Sequence, residues 1–151
     1  MKIRKARAAD VKAIQKMIND YADKGLMLHK SLNSIYENIR DFLVAEKDGE
    51  VVAAGANYVY WDELGEIGSV AVAPSYQGKG LGLALTGALI DYAGEIGIKR
   101  LFLLTFQPDF FKKLGFKVID KDDLPHKIWK VCLNCPKYPD SCDETAMELL
   151  L

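Results

Sequence analysis

Gln77-Gly78-Lys79-Gly80-Leu81-Gly82 follows the run Val70-Ala71-Val72-Ala73-Pro74 and opens onto Leu83-Ala84-Leu85. Alternate glycines let a backbone come close to a ligand and adopt positive φ without a Cβ penalty. A helix beginning near Lys79 would aim its first N–H groups at the same place, with the favourable end of its dipole behind them. Lys79 adds a cation. This combination suits a di- or triphosphate held mainly by backbone. A P-loop would need Gly-Lys-Ser/Thr, which is missing, and Gly-Lys-Gly-Leu-Gly-Leu has the wrong third spacing for a Rossmann fingerprint. A tight strand–helix turn with incidental glycines is the plainer alternative.

A second constellation lies further on. His126, Cys132, Cys135 and Cys142 form H-x5-C-x2-C-x6-C, a set able to complete a tetrahedral Cys3His zinc site. Reduced cysteines used for packing are the competing reading and the simpler one, since a single Cys-x2-Cys pair is a weak signal. The count of three cysteines argues against a disulfide framework.

The elements that must position these residues follow from periodicity. Lys2–Arg7 alternates weakly as a strand. Asp10 is placed to cap a helix with Val11, Ile14, Ile18 and Tyr21 or Ala22 at helical spacing, ended near Gly25. Ser31 and Ser34 are two possible starts for a short helix carrying Ile35, Tyr36 and Ile39. Phe42–Ala45 and Glu50–Tyr60 flank Asp48-Gly49, a hairpin signal. Ile67–Ala73 predicts a strand, Leu81–Ile96 a long helix and Arg100–Thr105 a buried strand. Pro108–Leu114 predicts a short helix closed by Gly115, and Phe116–Ile119 another strand. Strands and helices alternate, which predicts a mixed sheet with helices on its faces. Residues 121–151 hold all three cysteines and three of the five prolines, and predict a tail packed on a core of residues 1–120. Glu144–Leu151 returns to an apolar pattern, as a last strand would.

Composition sets outer limits. At 151 residues the chain suits one domain, residues 1–151, and half of those residues are hydrophobic. A net charge of −1 gives no broad basic field for nucleic acid or an anionic membrane. No apolar run approaches the roughly 18 residues of a membrane span, and the N-terminus lacks a signal-peptide core, so a cytoplasmic location is expected.

Val72-Ala73-Pro74-Ser75-Tyr76-Gln77-Gly78-Lys79-Gly80-Leu81-Gly82 resembles the acetyl-CoA signature of the GNAT family of N-acetyltransferases. Phe110-Phe111-Lys112-Lys113-Leu114-Gly115-Phe116, about thirty residues on, resembles that family's second motif. Within the family, Gly25–Ser31, Tyr36–Phe42, Gly65–Val72, Leu103–Gln107 and Leu124–Lys130 are similar to the small stand-alone N-acetylglutamate synthases of arginine biosynthesis. The resemblance implies an α/β fold whose central sheet is mixed, mostly antiparallel and splayed beside Ile67–Val72, with helices on both faces.

The resemblance also implies roles. Acetyl-CoA would be the co-substrate, its pantetheine arm on Val70, Ala71 and Val72 and its pyrophosphate on the amides of Gln77, Gly78, Lys79, Gly80, Leu81, Gly82 and Leu83. An amide of the Val70–Val72 strand would stabilise the carbonyl oxygen. Glu66 matches the general base, with a pKa that burial would raise. Phe111 stands where many members carry a tyrosine acid, so no general acid is assigned. Leu28, Lys30, Thr105 and Gln107 match the acceptor site. Lys30 departs from the usual arginine, keeping charge but losing the bidentate fork. Taken alone, Glu66 reads as an exposed strand-start glutamate, Lys30 as a solvated loop lysine, and Thr105 and Gln107 as caps. Trp61 and Trp129 would line the acceptor pocket or, more plainly, belong to core.

The function implied is acetyl transfer to the α-amine of L-glutamate by direct attack. Another small amine or a protein N-terminus as acceptor, or a non-catalytic acyl-CoA sensor, are the rivals. A homodimer follows by analogy with family members that pair through sheet edges.

Overall fold

Val11, Ile14, Ile18 and Ala22 share one helical face, and α1 (Val11–Asp23) buries all four. Asp10 precedes it but does not cap it. Its carboxylate accepts from the Arg4 guanidinium at 2.8 and 3.0 Å and from the Arg7 amide at 2.7 Å. The bidentate, charge-assisted pair outcompetes a single capping bond, and it holds the Asp10 carboxyl below its ordinary range. Ser31, rather than Ser34, caps α2 (Leu32–Glu37), its hydroxyl accepting from the Ser34 amide at 3.1 Å.

A computed structural model describes residues 1–124 and 144–151. These residues form a sheet of β1 (Lys2–Lys5), β2 (Phe42–Lys47), β3 (Glu50–Trp61), β4 (Leu64–Val72), β5 (Arg100–Thr105), β6 (Lys117–Val118) and β7 (Thr145–Leu150). The strand order is β1-β2-β3-β4-β5-β7-β6, antiparallel except between β4 and β5. Asp48 and Gly49 turn the β2–β3 hairpin with φ of +52° and +81°, the positive pair that a two-residue hairpin favours. Residues 145–150 form the expected last strand, but β7 does not pack on the surface of the core: it lies inside the sheet, between β5 and β6.

Helices cover both faces. On one, α3 (Leu81–Glu95) and α4 (Pro108–Lys112) set Leu85, Leu89, Ala93 and Phe111 against Leu43, Ala53, Ile67, Leu101 and Leu103. On the other, Val11, Ile14, Ile18 and Ile35 pack on Phe42, Val44, Ala54, Ala56 and Ala71. A third, smaller cluster gathers Phe102, Leu124 and Ala146 with Tyr60, Leu64, Leu104 and Ile119. Among the described residues, no helix is long and apolar enough to cross a membrane.

Candidate active site

The centre of the site is where β4 parts from its neighbour. β4 pairs with β5 only from Leu64↔Arg100 to Glu66↔Phe102. Past Glu66 the two strands separate, and a cavity of about 210 Å³ opens between them, lined by Ile67, Ser69, Val70 and Val72 on one side and by Leu103, Thr105, Gln107 and Phe111 on the other. On its other edge β4 carries a bulge: Ala54 pairs with Ala71 and Ala56 with Gly68, leaving Ser69 and Val70 opposite one residue, with Ser69 at φ +55°. The bulge resets the alternation, so Val70 and Val72 pack on the α3 side with Ile67 while Ala71 is buried on the α1 side.

Val72 turns its backbone polar groups toward the splay. Its amide donates to the Tyr21 hydroxyl at 3.3 Å, and its carbonyl accepts from that hydroxyl at 3.2 Å and from Gln77 Nε2 at 3.1 Å. Gln77 Nε2 also donates to Tyr21 Oη at 2.9 Å. Ala71 offers no such edge, since it is fully buried and paired with β3.

The glycine turn leads from this strand into α3. Gly78 and Gly80 take φ of +73° and +81°, and Gly80 is the residue from which the helix starts. The first intrahelical bond runs from the Ala84 amide to the Gly80 carbonyl at 3.1 Å, so the amides of Leu81, Gly82 and Leu83 precede it and have no acceptor within the helix. Two cations stand near: Lys79 Nζ and Lys47 Nζ lie 5.8 and 5.5 Å from the ring of Tyr76. An open strand edge, a cavity and a cationic backbone cradle together fit a long ligand that has an amide arm and a phosphate end.

Glu66 occupies the crotch of the splay, the last β4 residue paired to β5. It lies inside β4, not ahead of it, and pairs with Tyr58 of β3. Burial pushes its carboxyl up to about 7; the Tyr60 hydroxyl, donating to Oε1 at 2.9 Å, and the Lys30 ammonium oppose that rise, while Glu144 adds to it. A carboxyl titrating near neutrality in a cleft can accept a proton from an amine. Lys30 Nζ sits 5.2 Å from the Tyr58 ring. Its backbone is clamped to α1, the amide donating to Asn19 Oδ1 and the carbonyl accepting from Gln15 Nε2, each at 3.1 Å. Gly68 leaves room for this group: a Cβ there would meet the Tyr58 ring at 3.0 Å.

The structure thus brings Glu66 and Lys30 together, and Val70, Val72, Gly82, Thr105, Gln107 and Phe111 around the cavity. Leu28 is exposed, and neither cavity wall includes it. Thr105 Oγ1 accepts from the Gln107 amide at 2.9 Å, which makes it a cap for the end of β5. Trp61, at 68% relative exposure, is neither core nor cavity wall. His126, Trp129, Cys132, Cys135 and Cys142 lie outside the described residues, among which no group of three His, Cys, Asp or Glu is placed to hold a metal.

Tyr21, Tyr58, Tyr60 and Ser69 escape the sequence reading. Tyr21 sits at a helical core position, and only the fold turns its hydroxyl to Val72. Tyr58 and Tyr60 carried a usable signal, two tyrosines at period two on one strand face.

A model of the acetyltransferase (GNAT) family matches residues 12–116. An uncharacterised N-acetyltransferase of Chlorobaculum tepidum is 42% identical over 145 residues, 96% of this chain and 93% of that protein. An amino-acid acetyltransferase of Mycobacterium tuberculosis is 41% identical over 121 residues, 78% of this chain and 69% of that protein. Among solved structures, N-acetylglutamate synthase from Neisseria gonorrhoeae, complexed with coenzyme A and N-acetyl-glutamate, superposes with a TM-score of 0.89 at 29% identity. That match covers 99% of this chain and 35% of the synthase, so the chain spans about a third of its length.

Proposed function

The chain belongs to the acetyltransferase (GNAT) family and is an acetyl-CoA-dependent N-acetyltransferase, and we propose that it acetylates the α-amine of L-glutamate, the N-acetylation step of arginine biosynthesis. The observation that carries this reading is Glu66, a carboxyl raised to about 7 at the crotch of the splay, within electrostatic reach of the Lys30 ammonium. The names of the Mycobacterium and Neisseria relatives support an amino acid, and glutamate in particular, as acceptor.

In this reading Val72 receives the pantetheine amides at its open edge once Tyr21 and Gln77 yield those groups. The amides of Gln77 through Leu83 hold the pyrophosphate, with Lys79 beside them. Glu66 takes the proton from the acceptor ammonium, directly or through one water, so that a neutral nitrogen faces the thioester. The nitrogen lone pair forms the new C–N bond, the C–S bond breaks, and sulfur leaves with its electron pair as the CoA thiolate. The second proton that the nitrogen sheds on becoming an amide passes to solvent water. An amide of the Val70–Val72 strand stabilises the charge that gathers on the carbonyl oxygen. Phe111 cannot give a proton to the thiolate, and none is needed for a thiol that leaves as its anion. Lys30 pairs with the acceptor's side-chain carboxylate. Its single point charge, in place of an arginine fork, supports a second reading in which other acidic amines are also accepted.

The test is release of free thiol from acetyl-CoA in the presence of a panel of amines. Fastest turnover on glutamate is expected; no turnover on any amine would favour an acyl-CoA sensor. Glu66→Gln should lose about 10²- to 10⁴-fold in kcat at pH 7 while binding acetyl-CoA as before. Unchanged turnover would remove Glu66 from the base role.

A further inference from the structure

Tyr60 has no part in the chemistry above, yet its hydroxyl donates to Glu66 Oε1 at 2.9 Å. Its ring rests on Phe102, with centroids 5.3 Å apart and planes at 57°. Phe102 is fully buried together with Leu124 and Ala146, and Leu64, Leu104 and Ile119 close the cluster around them. Five pieces of the chain contribute: β3, β4, β5, the residues leading out of β6, and β7. This small core stands apart from the two that hold the helices. Packing fixes the phenol, and the phenol fixes one carboxylate oxygen, which leaves Oε2 to meet a proton.

We propose that Tyr60, seated on the Phe102–Leu124–Ala146 cluster, is a positioning residue that aims the Glu66 carboxylate at the acceptor amine. The proposal rests on the reading of Glu66 as the base. The groups that face Glu66 are Tyr58 and Tyr60 from β3, Lys30 from the loop after α1, and Glu144 from the approach to β7. The Tyr58 hydroxyl is engaged with Ser69 Oγ at 2.9 Å. Tyr60 therefore acts on Glu66 through a direct bond, and its loss has a definite sign: a carboxylate deprived of a donor holds its proton more tightly.

Carbon-13 NMR of the full chain, labelled at its glutamate carboxyls, reads this directly, the Glu66 resonance being the one absent in Glu66→Gln. In the wild type the midpoint is expected near 7. In Tyr60→Phe, which keeps the ring and its packing, it should rise by about one pH unit, with kcat at pH 7 falling about five- to tenfold and KM for acetyl-CoA unchanged. Phe102→Leu, which loosens the seat without touching either oxygen, should move the midpoint the same way by less. An unmoved midpoint in Tyr60→Phe, with Glu66→Gln inactive, overturns the positioning role and leaves the base standing. Full activity in Glu66→Gln overturns the base reading and this inference with it.

Discussion

Burial raises the Glu66 carboxyl to about 7, against the pull of the Tyr60 hydroxyl and the Lys30 ammonium. The same shift bears on stability. The folded value lies above the ordinary value of 4.5, so the stability tied to this proton is fully present below about 4.5 and lost as pH rises through about 7. Glu66→Gln, neutral throughout, should therefore melt at a higher temperature than the wild type at pH 8 and at the same temperature near pH 4. Thermal melts across that range check it, and equal melting temperatures at pH 8 would show the carboxylate to be well solvated. Lys30 gives a second expectation. Lys30→Met should raise KM for glutamate by about 10- to 100-fold, the worth of a bond to a charged group, with little change in kcat. Lys30→Arg should lower KM and narrow the range of amines turned over. A Lys30→Met enzyme with unaltered KM would place the acceptor carboxylate elsewhere. Glu66 and Lys30 were legible only by resemblance, since the chemistry of each depends on neighbours brought from other strands. Tyr60 reaches Glu66 because Tyr58 pairs with Glu66 across the β3–β4 hairpin. That register is invisible in a linear reading.

The glycine turn is the element in which local sequence dictates most. Gly80 starts α3 in the left-handed region, which a side chain occupies at a cost of about 1 kcal/mol or more. A Cβ there meets nothing within 4 Å, so the cost is conformational rather than steric. Gly80→Ala should lower unfolding stability by that amount in denaturant titrations and weaken acetyl-CoA binding about tenfold by moving the first-turn amides. Wild-type affinity in that variant would mean that the cradle does not hold the pyrophosphate. Residues 81–96 were readable as a helix because a long, mostly apolar run follows the glycine turn and stops at Gly97, and residues 100–105 as a strand because a short continuous apolar run suits a buried one. The Asp48-Gly49 hairpin was readable because two positive φ angles demand those residue types. The bulge at Ser69 was not readable, since a bulge is a relation between two strands. Asp10 fails to cap α1 for a similar reason: Arg4, from another element, makes the stronger claim on its carboxylate.

At the scale of the whole molecule, alternation of strand and helix announces a mixed sheet with covered faces, and that is what forms. The splay was expected through the family resemblance, and its extent, three paired positions and then separation, comes from the pairing of β4 with β5. The place of β7 had no sequence signal: an apolar run at residues 145–150 reads equally well at an edge or in the interior of a sheet. Its position has a consequence for the order in which the molecule is made. Among the described residues, β6 precedes β7 in the chain but bonds only to β7, and β5 has its second neighbour only when β7 enters. Ala146, part of the seat beneath Tyr60, arrives with that strand. On a translating ribosome, the first four strands and α3 have their partners long before residues 145–150 emerge, whereas the wall of the cleft on the β5 side waits for a contact distant in sequence, the slow kind to close. The glycine turn is thus expected to form early, and the seat of Glu66 late.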